Sequence, residues 1–197
     1  MPSNFVGERV RRVREDVRVV PFGLRLEDYL QYRGLGKVFD VAIVSRLVPY
    51  RGVLEALETL RLVGRRLRVA VVGDGPLRDA VSRLAESLDH SVSLFFKAPE
   101  EEKRRILAQS VYLLLSTAEG FSISTLEAIA LRAYPIVLAN EYNAAVKLIR
   151  SLECDTVVSS LREAAGIIES GEVPEPPTAP LFKYHIRSVV DLYETIS

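Results

Sequence analysis

The chain has 197 residues, of which 48% are hydrophobic and 26% charged, so it is an ordinary globular sequence long enough for one substantial core. Lys plus Arg and Asp plus Glu both number 26, and this zero net charge gives no argument for a nucleic-acid partner. The single cysteine, Cys154, excludes an internal disulfide framework and a multi-cysteine metal site. No apolar run reaches membrane-spanning length and no signal-peptide core follows the first basic residues, so a cytoplasmic location is the default expectation.

The first 37 residues predict a helix, a short strand and a linker. Residues 3–14 place apolar side chains on one side of a helix and arginines on the other, with Ser3 suited to cap it. Residues 17–20 predict a short strand, and 26–32 predict one or two helical turns. The Gly-Leu-Gly sequence at 34–36 then predicts a linker into the main domain.

From residue 38 onward, apolar β-branched runs alternate with amphipathic helical segments. The predicted strands are 38–45, 67–73, 92–96, 111–116, 134–139 and 156–159. The predicted helices are 53–63, 76–88 (with Pro76 at its first position), 100–109, 124–133, 144–151 and 161–169. Six alternations with short connections predict an α/β fold: a doubly wound, mostly parallel, Rossmann-like sheet of six strands with helices on both faces.

The C-terminal part begins with a proline-rich stretch. Residues 172–180 contain four of the ten prolines and predict a loop or linker, and 182–196 predict a closing amphipathic helix. We therefore divide the chain into 1–37, a Rossmann-like domain at 38–171, and 172–197.

Parallel strands bring their carboxyl ends to one edge of the sheet, and three loops at that edge carry polar residues. The first loop holds Arg46 and Arg51, whose guanidinium groups flank a helix start and can clamp a diphosphate. Two solvated surface arginines are the alternative interpretation. The second loop, Gly73-Asp74-Gly75-Pro76, is a weak match to a dinucleotide-binding glycine pattern; the alternative is a tight turn that packs on a neighbour.

The third loop follows the fourth predicted strand and is the central feature of the sequence. Gly120 lets the backbone approach a ligand, and the helix start that follows suits an anion such as a phosphate. Glu119 and Glu127 bracket this turn and can accept hydrogen bonds from hydroxyls of a sugar or ribose. The alternative is that Glu119 is a solvated loop residue and Glu127 a partner of the helix dipole.

Three motifs in this order resemble a known family. Residues 45–52 read Ser-Arg-Leu-Val-Pro-Tyr-Arg-Gly, residues 72–77 read Val-Gly-Asp-Gly-Pro-Leu, and residues 119–128 begin Glu-Gly-Phe-Ser and end Glu-Ala. Together they resemble the carboxyl-terminal, donor-binding domain of GT-B glycosyltransferases of the large retaining family four, often labelled group 1. Residues 17–23 and the last helix resemble the segments that cross between the two domains in that family.

The resemblance implies roles for individual residues. Arg46 and Arg51 match the basic pair that grips the donor diphosphate, Glu127 matches the glutamate that holds the ribose hydroxyls, and Glu119 matches the one that faces the transferred sugar. Gly120, Phe121 and Ser122 match backbone that approaches the sugar and phosphates. Gly73 matches the glycine beneath the nucleotide. Lys97 and Ala98 match the place where the base rests on backbone. The donor would be a nucleotide-diphospho-sugar, and neither a cofactor nor a metal is expected because the arginines would neutralise the charge.

The sequence departs from the family pattern in three places. Ser122 stands where glycine is usual, and residues 139–145 (Ala-Asn-Glu-Tyr-Asn-Ala-Ala) lack the paired glycines often found there. The amino-terminal acceptor domain is missing from these 197 residues. The resemblance therefore implies a donor-binding half that is inactive alone and needs its acceptor domain in cis or in trans, with a peripheral membrane contact through that domain left open.

Two other functions compete with a glycosyltransferase half. One is a nucleotide-sugar-binding module with the same pocket and no transfer activity. The other is an epimerase or phosphorylase, because one fold hosts several activities. The Glu119 and Glu127 pair favours transfer, and no convincing histidine–carboxylate set supports an epimerase.

Overall fold

The computed structural model describes residues 3–13, 18–114, 121–154, 156–173 and 179–196. The helices are α1 (Asn4–Val10), α2 (Glu27–Leu30), α3 (Val53–Leu60), α4 (Arg78–Glu86), α5 (Glu100–Ala108), α6 (Ile123–Ala130), α7 (Ala145–Ser151), α8 (Leu161–Ser170) and α9 (Ile186–Ile196). The strands are β1 (Phe39–Val44), β2 (Arg68–Val72), β3 (Ser91–Phe95), β4 (Ser110–Leu114), β5 (Tyr134–Leu138) and β6 (Val157–Val158). Short 3-10 helices cover Pro49–Arg51 and Ala179–Tyr184.

The six strands form one sheet in the order β3-β2-β1-β4-β5-β6, and every neighbouring pair in it is parallel. This confirms the predicted doubly wound, Rossmann-like fold. The strand order reverses between β1 and β4, and in open parallel sheets a crevice for ligands forms outside the carboxyl ends of the strands at this point.

Apolar side chains fill both faces of the sheet. Ala42 and Leu113 point into a core formed with α5, α6 and α7, whereas their neighbours Val41 and Tyr112 point into a core formed with α3, α4 and α8. Because both faces are covered, the strands are apolar at successive positions rather than at alternate ones, which makes them recognisable as buried strands in the sequence.

The segments at the two ends of the chain meet on the first of these faces. The backbone N–H of Leu24 donates to the Tyr184 carbonyl (2.8 Å), and Ile186 N–H donates to the Leu24 carbonyl (2.9 Å). Leu24, Tyr29 and Leu181 are buried in the same core as α6. Both end segments therefore help to support α6.

Three predicted elements differ in the structure. The short strand predicted at 17–20 is wrong for residues 18–20: Pro21 has no N–H to donate, and the chain forms an isolated bridge later, between Leu24 and His185. Helix α4 begins at Arg78 rather than at Pro76, and the last α-helix begins at Ile186 after a 3-10 segment. Within the described residues, no helix is both long and apolar enough to cross a membrane.

Candidate functional site

A cavity of about 600 Å³ opens at the carboxyl edge of the sheet, beside the point where the strand order reverses. This volume lies in the range of pockets that enclose small-molecule ligands. All eight predicted site residues that the structure describes line it: Arg46, Arg51, Gly73, Lys97, Ala98, Phe121, Ser122 and Glu127. The other two, Glu119 and Gly120, lie outside the described residues, so their predicted roles stay predictions.

The two arginines come from the loop between β1 and α3. Pro49–Arg51 forms a 3-10 turn, and Gly52 adopts a left-handed conformation (φ 65°) that ends the turn and starts α3. The guanidinium carbons of Arg46 and Arg51 lie 5.9 Å and 5.7 Å from the centre of the Tyr50 ring, and an Arg46 amino group donates to the Tyr50 hydroxyl at 2.8 Å. Two guanidinium groups therefore contact the same aromatic ring at the cavity.

The glycines of the second loop allow it to cross closely over the first. A Cβ atom on Gly73 (φ 156°) would lie 1.8 Å from the Ser45 carbonyl oxygen, and one on Gly75 (φ 153°) would lie 2.5 Å from the Leu47 oxygen. The Leu47 N–H donates to the Asp74 carbonyl at 2.9 Å. The Gly-x-Gly pattern is thus a tight turn that packs on a neighbouring loop, as in the alternative interpretation, and it brings Gly73 to the cavity wall.

The described part of the third loop starts at Phe121. The Phe121 ring is buried and makes edge-to-face contacts with Phe22 (5.4 Å between ring centres) and Tyr184 (6.1 Å). Ser122 precedes α6 in a left-handed conformation (φ 73°), and its hydroxyl lies 2.7 Å from that of Thr125. A left-handed serine carries strain that glycine would not.

Glu127 is held by a buried network that the sequence did not reveal. Its side chain lies in α6 and the residue is 3% exposed. The Oε1 atom accepts a hydrogen bond from the Tyr29 hydroxyl of α2 at 3.0 Å and lies 3.0 Å from Lys103 Nζ of α5. Lys103 also pairs with Glu100 at 2.6 Å, and both line the cavity. Glu127 is therefore a buried, ion-paired carboxylate, and it does not lie in the first turn of α6, where a partner of the helix dipole would lie.

Burial and charge shift the pKa values of this network in definite directions. Burial alone would lower the pKa of Lys103, but the negative charges of Glu127 and Glu100 outweigh it and raise that pKa. Burial and the neighbouring charge of Glu127 raise the pKa of the Tyr29 hydroxyl. Both groups keep their protons at neutral pH, so both act as hydrogen-bond donors toward Glu127.

The cavity carries charges of both signs. Arg46, Arg51, Lys97 and Lys103 supply positive charge, while Asp74, Glu100 and Glu127 supply negative charge. Lys97 lies 4.0 Å from Asp74, at the ends of β3 and β2. In the described ranges, no group of three or more histidine, cysteine or acidic side chains is placed to hold a metal ion. This arrangement suits a ligand that combines an anionic part with hydroxyl groups.

Similarity to known proteins places the chain in a family. The sequence model of the family described as "Glycosyl transferases group 1" matches residues 33–168, which is well over half of the chain. The chain belongs to the glycosyl transferases group 1 family. The matched segment contains all six strands and all ten predicted site residues. None of the curated proteins compared with this group 1 chain matches it.

Solved structures similar to this group 1 chain share its fold at low sequence identity. A glycosyltransferase from Rickettsia africae superposes with a TM-score of 0.80 at 17% identity, covering 99% of this chain and 61% of that one. Anabaena HepE, crystallised with UDP and glucose, gives 0.74 at 17%, covering 92% and 57%. AviGT4, a glycosyltransferase involved in avilamycin A biosynthesis, gives 0.72 at 17%, covering 91% and 56%. The group 1 chain thus spans 56–61% of the length of these structures.

Sequence reasoning missed Tyr29, Lys103 and Glu100 in this group 1 domain. Residues 26–32 and 100–109 were predicted only as helical turns and as a charged helix. A signal for Lys103 was present, because it lies three and four positions before Ile106 and Leu107 and so shares the buried stripe of α5. Tyr29 lies three positions after Leu26, a spacing that indicates that both side chains are buried on one side of the helical turn. A buried tyrosine hydroxyl in turn requires a polar partner.

Proposed function

We propose that this chain is the donor-binding half of a retaining glycosyltransferase, which binds a nucleotide-diphospho-sugar and passes the sugar to an acceptor. One observation carries the proposal. Arg46 and Arg51 after β1, and Glu127 in the helix after β4, are distant in sequence yet line one cavity at the point where the strand order reverses. Cationic forks and a hydroxyl acceptor on one cavity are the chemistry that a nucleoside diphosphate requires.

Arg46 and Arg51 hold the diphosphate in this proposal. A guanidinium presents several N–H donors in a fixed plane, which matches phosphate oxygens in pairs. During transfer the bond from the sugar to the diphosphate breaks, and negative charge grows on the departing phosphate oxygen. The arginines stabilise that charge, which lowers the barrier without requiring a divalent cation.

Glu127 accepts hydrogen bonds from the ribose, and Glu119 faces the transferred sugar. Glu127 is buried beside two protein donors, the Tyr29 hydroxyl and Lys103 Nζ, and its carboxylate oxygens are hydrogen-bond acceptors. Lys97 and Ala98, after β3, line the part of the cavity proposed for the base. Anabaena HepE, which has the same fold, was crystallised in complex with UDP and glucose, and this supports a nucleotide and a sugar as ligands here.

The proposal is tested first by binding. Isothermal titration of the chain with UDP, GDP and ADP is expected to give saturable binding of at least one, and the matching nucleoside without phosphates should bind far more weakly. The same nucleotide should raise the melting temperature, because a ligand of the folded state stabilises it by mass action. Absence of binding by all three at millimolar concentration would overturn the donor-site function.

Transfer is tested separately with nucleotide-sugars. Retention predicts that the product keeps the anomeric configuration of the donor, which proton NMR of the product reports. An inverted product would refute the retaining assignment but leave the donor site standing. Tight nucleotide-sugar binding with no transfer, even when a candidate acceptor domain is added, would instead favour the binding-module alternative.

A further inference from the structure

We propose that Lys103 and Tyr29 are positioning residues for Glu127: they fix one carboxylate oxygen, Oε1, so that the other, Oε2, is directed to a ligand hydroxyl. The inference rests on the proposed function, in which Glu127 receives the ribose. It goes beyond that function because it assigns a role to two residues outside the motifs that identify the family.

The geometry separates the two carboxylate oxygens of Glu127. Lys103 Nζ and the Tyr29 hydroxyl both lie 3.0 Å from Oε1. Within the described part of the chain, no hydrogen bond reaches Oε2. Glu127 itself lines the cavity. One oxygen is thus committed to the protein, and the other remains to accept from a ligand.

The two donors are themselves held in place by α5. Glu100, which also lines the cavity, pairs with Lys103 at 2.6 Å. The residue after Lys103, Arg104, lies with its guanidinium carbon 4.8 Å from the centre of the Tyr29 ring. Two consecutive residues of α5 therefore contact Glu127 and Tyr29 respectively, and the network joins α2, α5 and α6.

A buried carboxylate needs such a frame to recognise a hydroxyl. Without donors, a carboxylate in a residue that is only 3% exposed would be an unpaired buried charge, which is strongly unfavourable. The terminal torsion of glutamate is broad, so an unanchored carboxylate would present its lone pairs over a wide range of directions. Anchoring Oε1 removes that freedom before the ligand arrives, which is the usual gain from preorganisation.

The test compares a ribonucleoside diphosphate with the dideoxynucleoside diphosphate of the same base, which lacks the hydroxyls. Titration calorimetry on Tyr29→Phe and Lys103→Met is expected to show about fivefold weaker binding of the ribonucleotide, the effect of one lost hydrogen bond, and unchanged binding of the dideoxynucleotide. Lys103→Arg, which keeps the charge and the donors, should restore most of the affinity. Tyr112→Phe removes a hydroxyl that donates to the Ile167 carbonyl away from the cavity, and it should change neither affinity.

Each result has a distinct meaning. Equal weakening of both nucleotides would overturn the inference, because it indicates direct phosphate or base contact or general loosening of the site. Unchanged binding of both would overturn it as well. If wild-type protein binds both nucleotides equally, the role of Glu127 fails while the donor site stands; if it binds neither, the proposed function fails. Should Lys103→Met not fold, Tyr29→Phe, which removes one hydroxyl only, decides the question.

Discussion

At the scale of single residues, the two arginines of the cavity both contact Tyr50. The Tyr50 ring lies 5.9 Å from the Arg46 and 5.7 Å from the Arg51 guanidinium carbon, although the residue itself is 56% exposed. A shared aromatic ring holds two like charges near one another at a favourable cation–π distance. The attraction of each guanidinium group to the ring partly offsets the repulsion between the two charges.

We predict that Arg51→Ala and Arg46→Ala each weaken nucleoside diphosphate binding by about tenfold or more. The expected size is that of one charge-assisted hydrogen bond to a phosphate. Titration with the diphosphate and with the matching nucleoside separates the phosphate contribution, since the nucleoside affinity should not change. Arg61→Ala is the control, because Arg61 pairs with Glu58 on the surface and does not line the cavity. If both cavity variants bind the nucleoside diphosphate as tightly as wild type does, Arg46 and Arg51 do not bind the diphosphate and the surface-arginine interpretation is favoured.

Ser122 offers a second test at the residue scale, since its backbone is left-handed (φ 73°). We predict that Ser122→Gly is about 1 kcal/mol more stable to urea than Ser122→Ala. Both variants lose the contact between the Ser122 and Thr125 hydroxyls, so their difference isolates the cost of a Cβ atom in this conformation. The same pair of substitutions at Ser82, inside α4, should give the opposite order, because glycine weakens a right-handed helix. If the glycine and alanine variants ranked in the same order of stability at both positions, the left-handed conformation of Ser122 would be contradicted.

At the scale of secondary-structure elements, β1 and β2 are joined at their amino ends by a carboxylate. Asp40 in β1 accepts from the backbone N–H of Arg68 in β2 at 2.7 Å, and the side chains of Arg68 and Arg65 lie 3.4 Å and 3.7 Å away. Burial alone would raise the pKa of Asp40, but these hydrogen bonds and charges outweigh it and lower that pKa. The folded chain thus favours the ionised form more than the unfolded chain does.

The lowered pKa of Asp40 predicts how the stability of the fold depends on pH. A carboxyl whose folded pKa lies below its unfolded pKa of about 4 stabilises the fold above that pH and loses its contribution as the pH falls through the folded value. We therefore expect wild type to lose more stability between about pH 5 and pH 3 than Asp40→Asn does, as measured by urea unfolding. Asp89→Asn, at an exposed position between α4 and β3, serves as the control and should follow wild type. If wild type and Asp40→Asn lost the same stability over this pH range, the lowered pKa of Asp40 would be contradicted.

The elements were predictable where the sequence pattern was local. Runs such as 67–73 and 134–139 are apolar at successive positions, which indicates strands covered on both faces, and the structure has β2 and β5 there. Loops at the ends of the strands were predictable for the same reason, so Arg46, Arg51 and Glu127 could be assigned to one edge of the sheet. Boundaries failed where tertiary contacts decide, as at 18–20 and at the start of α4.

The network around Glu127 could not be predicted from local patterns. Tyr29, Lys103 and Glu127 lie far apart in sequence, on three helices, and their contact depends on how α2 and α5 pack on α6. A charged residue on an apolar helix stripe shows that something unusual is buried there, but it does not name the partner. Only the packing of the three helices supplies that information.

At the scale of the whole molecule, the two end segments are packed beside the cavity at the carboxyl edge of the sheet. Phe22 from the first segment and Tyr184 from the last both contact Phe121 beside the cavity. Leu24 joins the two segments by backbone hydrogen bonds, and His185 lies 3.1 Å from Glu27. The cavity is therefore bounded by parts of the chain outside the sheet, and Tyr29 connects the first segment to Glu127 itself.

We predict that these 197 residues bind a nucleotide-diphospho-sugar without transferring the sugar at an appreciable rate. The reason is that the chain spans only 56–61% of the length of the similar glycosyltransferase structures, and the resemblance assigns acceptor binding to the other domain of a GT-B enzyme. The measurement is release of nucleoside diphosphate from the donor, with the chain alone and with a candidate acceptor domain added. Release is expected only in the mixture and should fall in the Arg51→Ala variant of this chain. Rapid transfer by the chain alone would show that it carries its own acceptor site.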